Sequence, residues 1–131
     1  MIVMKYTALV TVLALVYTFV LSGRVGGMRA KFGVSAPAMS GHPDFDRAFR
    51  VHMNTIEQLV LFVPLLWLAS GVIGDVWAGA VGALWIVGRA IYASGYSKAA
   101  DKRGPGMIVT VLATGILAVA TLWGIIQAFI A

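Results

Sequence analysis

Four apolar stretches, roughly residues 4–22, 51–73, 76–96 and 107–130, occupy most of this 131-residue chain. A helix needs about 20 residues to cross a hydrocarbon core about 30 Å thick, and each stretch reaches or nearly reaches that length. Hydrocarbon offers the backbone no water to bond, so only helices and closed barrels can cross it. Barrel strands alternate at every second residue, and these runs do not. The expected fold is an all-α integral membrane protein, a four-transmembrane-helix bundle formed by a single domain over residues 1–131. Composition agrees: 11% of residues are charged, where a soluble domain carries about 25%. The first stretch is read as a retained helix, because its apolar run exceeds a signal core and no clear A-x-A cleavage site follows.

Charge sets the expected orientation. Arg24, Arg29, Lys31, Arg47 and Arg50 lie in or beside the first connection, and Lys98, Lys102 and Arg103 lie in the third. Lys5 alone lies near the other side, and Arg89 is inside a helix. The positive-inside rule places the basic connections in the cytoplasm and both termini in the periplasm or lumen. Topology and anionic membrane lipid account for the net charge of +5. Nucleic acid is not an expected partner, because membrane helices divide the basic residues. The chain has no cysteine, so any thiol chemistry must use a thiol brought by a ligand. No pair of histidines has ligand spacing, and no metal is expected.

The first connection, about 23–43, holds Gly23, Gly26, Gly27, Gly33, Pro37, Gly41 and Pro43 and reads as a long loop. Pro43 and Asp44 mark a helix start, with Asp44 and Asp46 suited to the positive end of the helix dipole. The expected helices are about 4–22, 44–73, 76–98 and 107–130. A tight turn centred on Gly74-Asp75 makes the second and third antiparallel neighbours. Gly104-Pro105-Gly106 reads as a stop before the fourth.

The second helix carries a polar stripe. At about 100° per residue, Arg47, Arg50, Asn54 and Glu57 share one face. An ionisable group at membrane depth costs about 3 kcal/mol or more, so Glu57 needs a partner, water or a polar ligand. Reflection about residue 75 sets Asn54 level with Tyr96, Glu57 level with Tyr92, and Arg89 about one turn deeper, within reach of Glu57. Tyr92, Tyr96 and Arg89 share a face of the third helix, and Arg103 extends it. Two polar stripes at matched depth indicate a site open toward the cytoplasmic leaflet.

FDRAFRVHMNTIE, residues 45–57, and GRAIYASGYSKAADKR, residues 88–103, resemble the MAPEG family of membrane proteins of eicosanoid and glutathione metabolism. The resemblance covers nearly the whole chain. R-x-x-x-N-x-x-E followed by R-x-x-Y-x-x-x-Y is its signature, and Arg50, His52, Asn54 and Glu57 are most like the microsomal glutathione transferase branch. The resemblance implies a homotrimer with glutathione as cosubstrate, held between subunits near the cytoplasmic face. Arg50, Asn54, Glu57, Tyr92, Tyr96 and Arg103 match positions that hold glutathione from one subunit. Arg29 and His52 match positions that reach it from the neighbour. Arginines suit the glutathione carboxylates, Glu57 suits its ammonium and Asn54 its peptide links. Arg103 is the expected thiolate-stabilising residue, with Tyr96 or Tyr92 donating to the sulfur or to a leaving oxygen.

The expected function is a glutathione transferase, with glutathione peroxidase activity a further possibility, acting on a lipophilic electrophile or lipid hydroperoxide reached through membrane lipid. Gln58 stands where the eicosanoid synthases usually have Tyr, which weakens a leukotriene-specific reading. Two alternatives stay open. One is a non-catalytic lipid or fatty-acid binder of the same fold, and the other is a small proton-coupled exporter using one membrane Glu. Among the polar residues, Glu57 and Arg89 are also readable as a structural ion pair, Arg47 as a lipid-phosphate contact, and Tyr92 and Tyr96 as an aromatic belt.

Overall fold

The computed structural model describes residues 1–131. Four long helices account for nearly all of it: α1 Lys5–Phe32, α2 Pro43–Ile73, α3 Asp75–Lys98 and α4 Gly104–Ile130, with one 3-10 turn at Ala100–Arg103. All four are long and apolar enough to cross a membrane. α1 packs against α2 and α3, and α4 packs against the same two helices.

The core is a short stack at mid-bundle. Phe62 of α2 lies on Trp85 of α3 with ring centroids 4.1 Å apart, and Val10, Leu66, Ala113 and Leu117 close around them. Most other large apolar side chains point outward, among them Phe19, Trp77, Val119 and Phe129. That inversion suits a bilayer, where lipid tails are as apolar as the side chains and apolar burial gives helices no reason to associate. Close packing across small residues replaces it. A Cβ on Gly106 of α4 would fall on the backbone N and Cα of Tyr92, and one on Gly88 of α3 would sit 2.9 Å from the Thr110 backbone N.

α1 does not end near residue 22. Gly23, Gly26 and Gly27 stay helical, and the helix continues to Phe32. Glycine costs a helix about 1 kcal/mol each. The extension is held by tertiary packing of Val25 against Val34 and Phe45, with Met28 and Phe32 beside them. Arg29 and Lys31 in the last turn face the negative end of the dipole. Gly33 ends the helix at φ 65°, a left-handed value that favours glycine.

The connection that remains is residues 33–42. It is tied to the start of α2 by Asp46, whose carboxylate accepts from the Ser40 hydroxyl at 2.9 Å and the Gly41 N–H at 3.0 Å. His42 caps α2 by accepting the Asp44 N–H at 3.2 Å and stacks on Phe32.

The second turn closes on Gly74 alone, at φ 86°. Asp75 begins α3 and also caps α1, accepting the N–H groups of Tyr6 at 3.0 Å and Thr7 at 2.8 Å. One carboxylate thus joins the starts of α1 and α3. Gly104-Pro105-Gly106 is the first turn of α4, not a stop before it, because Pro at the first helical positions removes only an N–H that would be unpaired anyway.

Candidate functional site

The polar stripe of α2 divides in two. Relative to Arg47, Asn54 is offset by about 20° around the helix, while Arg50 and Glu57 lie about 60–80° further out. The side of α2 facing α3 is buried through Ala48, Val51 and Thr55. Arg47 and Asn54 flank that buried line and both bond α3. Arg47 Nε donates to the Ser97 carbonyl at 3.2 Å, and its guanidinium pairs with Asp44. Asn54 Nδ2 donates to the Tyr92 hydroxyl at 2.6 Å. Arg50 and Glu57 are exposed. Arg47 is therefore a brace between α2 and the end of α3.

The level of Asn54 differs from the expected one. Because the turn closes on Gly74 and not on Asp75, reflection moves that level two residues down α3, to about residue 94. Asn54 then stands between Tyr92 and Tyr96, and it bonds Tyr92.

Arg89 does not reach Glu57. It is 2% exposed, donates from Nη2 to the Thr55 hydroxyl at 2.7 Å, and sets its guanidinium 3.9 Å from the Tyr92 ring centroid. Glu57 is two residues beyond Thr55, about 200° round the helix, and so faces away from Arg89. The ion pair of Arg47 with Asp44 is the only one in the structure. Arg89 Nε has no partner, so the face of the Tyr92 ring is the main compensation for burying this cation beyond Thr55.

A run of contacts climbs from there toward the basic end. Tyr92 is buried and tilts against Tyr96, with centroids 5.6 Å apart. The Arg103 guanidinium lies 5.6 Å from the Tyr96 ring centroid. Arg89, Tyr92, Tyr96 and Arg103 thus alternate cation, ring, ring, cation along α3 and the 3-10 turn, with Asn54 fastened at the second rung. Close approach of α4 makes this possible, because Gly106 lets the backbone of α4 lie against Tyr92 itself.

Arg29 and His52 stand apart from this run. Arg29 is half-buried at the end of α1, donating to the Ala38 carbonyl at 2.7 Å and lying 4.8 Å from the Phe45 ring centroid. His52 is half-buried and about 200° round α2 from Arg50, so one ligand cannot easily meet both from a single chain. Two residues of the arrangement had gone unremarked in the sequence. Thr55 supplies the hydroxyl for Arg89, and Tyr17 of α1 donates to the Arg89 carbonyl at 3.3 Å. The readable signal was a threonine next to the polar stripe, and a tyrosine within the first apolar run.

Residues 7–123 match the family model described as the MAPEG family. The chain belongs to the MAPEG family. The matched span contains every residue of the contact run as well as Arg29 and His52. The chain is 44% identical over 121 residues to an uncharacterized protein of Synechocystis sp., covering 92% of this chain and 88% of that one. It is 42% identical over 101 residues to human microsomal glutathione S-transferase 2, covering 77% of this chain and 67% of the relative. It is 30% identical over 123 residues to rat leukotriene C4 synthase, covering 94% and 82%. As a MAPEG protein with four helices of membrane-spanning length, it is an all-α, multi-pass integral membrane protein.

Proposed function

We propose that this MAPEG chain is a membrane glutathione transferase that conjugates the glutathione thiolate to lipophilic electrophiles. It works as a homotrimer, with the basic end and the site cytoplasmic and the termini periplasmic or lumenal. The observation that carries the reading is the run from Asn54 through Tyr92 and Tyr96 to Arg103, beside an exposed Arg50 and an exposed Glu57 that share no ion pair. Similarity to microsomal glutathione S-transferase 2 and leukotriene C4 synthase supports it.

Each side chain has a role its chemistry fits. Glu57 takes the glutathione ammonium, and Arg50 takes a carboxylate with two parallel N–H donors. The Tyr92 oxygen accepts from Asn54, which leaves the Tyr92 proton free to donate and the Asn54 carbonyl free to accept. Arg103 places a fixed cation beside the thiol and favours the thiolate. That thiolate attacks an electrophilic carbon, a C–S bond forms as the C–O bond to the leaving oxygen breaks, and Tyr96 hydrogen-bonds the sulfur or the departing oxygen, which takes a proton from water. The outward face of α4 below the polar run is apolar and exposed at Val111, Leu112, Ile116, Val119 and Trp123, a surface along which a lipophilic second substrate can approach.

Glu57→Ala and Arg29→Ala test the shared site together. Loss of one charge-assisted bond weakens glutathione binding about 10- to 100-fold, so isothermal titration of each variant alone should show that loss. Co-expressed, the two variants form some sites that combine an intact Glu57 with an intact neighbouring Arg29, and tight binding returns to that fraction. Wild-type affinity in Glu57→Ala would remove the site assignment. Absence of rescue in the mixed protein would remove the shared interface.

Arg89→Leu should leave the chain folded and weaken glutathione binding by up to about 30-fold, by freeing Tyr92 from its cation and so loosening Asn54. A buried cation–π contact is worth about 2 kcal/mol, which sets that scale. Arg89→Lys should recover part of the affinity, since an ammonium still sits on the ring but lacks the planar guanidinium that bonds Thr55 through Nη2. Equal affinity in all three proteins would leave Arg89 with no part in holding the site.

A further inference from the structure

A second concavity lies between α1 and α3, on the flank of α3 away from Tyr92. We propose that it seats one anionic phospholipid, its phosphate between Arg24 and Lys98 and the start of an acyl chain lying along the groove. The cleft is about 530 Å³ and is lined by matching faces of the two helices. Tyr17, Leu21 and Arg24 come from α1, and Ala90, Ser94 and Lys98 come from α3. These positions recur at three- and four-residue spacing, so each set runs along its helix for about 10–12 Å. Ser94 is two residues from Tyr92, about 200° round α3, which separates the cleft from the proposed glutathione site.

Polarity is graded along the groove. Arg24 and Lys98 both line the end of the cleft nearer the basic connections. Below them the walls are Leu21, Ala90 and Ala93, and Val20 is exposed at the rim. The Tyr17 hydroxyl is held by the Arg89 carbonyl and closes the lower end. Neither cation has a carboxylate partner, because the single ion pair joins Arg47 to Asp44. Ser97 already donates its hydroxyl to the Ala93 carbonyl, whereas Ser94 forms no side-chain bond and has a hydroxyl free for a phosphate oxygen. An anion with an apolar tail matches this order. A soluble anion would use only the upper end, and a zwitterionic lipid would bring its own ammonium against the two cations.

Native mass spectrometry of the whole protein, released from micelles doped with phosphatidylglycerol or phosphatidylcholine, tests this. The wild type should retain phosphatidylglycerol in preference. Two juxtamembrane cations together change anionic-lipid affinity about 10- to 30-fold, so Arg24→Gln with Lys98→Gln should lose retention by that factor. Glutathione titration should be the same for both proteins. Ala90→Trp fills the groove without touching either cation and should also lose the lipid, which keeps the test open if the double variant folds poorly. Four results would overturn the proposal: equal retention of the two lipids by the wild type, undiminished retention by the double variant, undiminished retention by Ala90→Trp, or displacement by millimolar inorganic phosphate alone.

Discussion

Arg103→Ala should lower the conjugation rate about 30-fold at pH 7, the full gain available from thiol ionisation, and the deficit should shrink as the pH approaches 9. A free thiol has a pKa of about 8.5, so without a nearby cation only about 3% of it is ionised at pH 7. A fixed guanidinium raises that fraction toward unity, a gain of at most about 30-fold. Above the free-thiol pKa the nucleophile ionises unaided, and the two proteins converge. Glutathione affinity should change less than rate, because Glu57 and Arg50 are untouched. The position of Arg103 supports this role: its guanidinium lies over Tyr96, at the top of the run that begins on Arg89. A pH-independent deficit would mean that Arg103 acts on binding or folding and not on the thiolate.

Gly106→Ala should destabilise the bundle by about 3 kcal/mol or more, at the upper end of what overpacking costs. The added Cβ meets the Tyr92 backbone, and it sits 2.7 Å from the Gly88 carbonyl oxygen. Backbone atoms cannot rotate aside as a side-chain tip can, so α4 must move away from α3. The same movement displaces Tyr92, and glutathione binding should fall with stability. Gly115→Ala on the same helix is the control, since a Cβ there meets nothing within 4 Å. It should unfold at or slightly above the wild-type temperature, because alanine is the better helix former. Unfolding in detergent, followed by circular dichroism, checks both. Equal stability of Gly106→Ala and wild type would mean that close α3–α4 packing does not hold the bundle.

The four crossings were legible in the chain because length and continuous apolarity are sufficient signals for helices in lipid. The end of α1 was not. Gly23, Gly26 and Gly27 look like loop residues locally, and the helix passes through them because Val25 finds Val34 and Phe45 at a distance in sequence. The start of α4 was misplaced for a related reason, since Pro105 is a breaker within a helix but an ordinary opener of one.

Within the site, periodicity placed Arg50 and Glu57 together on α2, while the roles of Arg103 and Tyr96 came only from family resemblance. The reflection that matched α2 to α3 carried depth but no angle. It therefore brought Arg89 within a turn of Glu57 without showing that Thr55 and the Tyr92 ring face lay in its path. A threonine in an apolar helix carries little local signal, so Thr55 became visible only with its partner.

The most direct test of the central claim is glutathione titration of the detergent-purified wild-type protein, read by difference absorbance in the thiolate band at pH 7. A saturable rise in thiolate absorbance, absent in Arg103→Ala, is the expected result. No binding at millimolar glutathione would contradict the account and point to a lipid carrier on the same MAPEG fold.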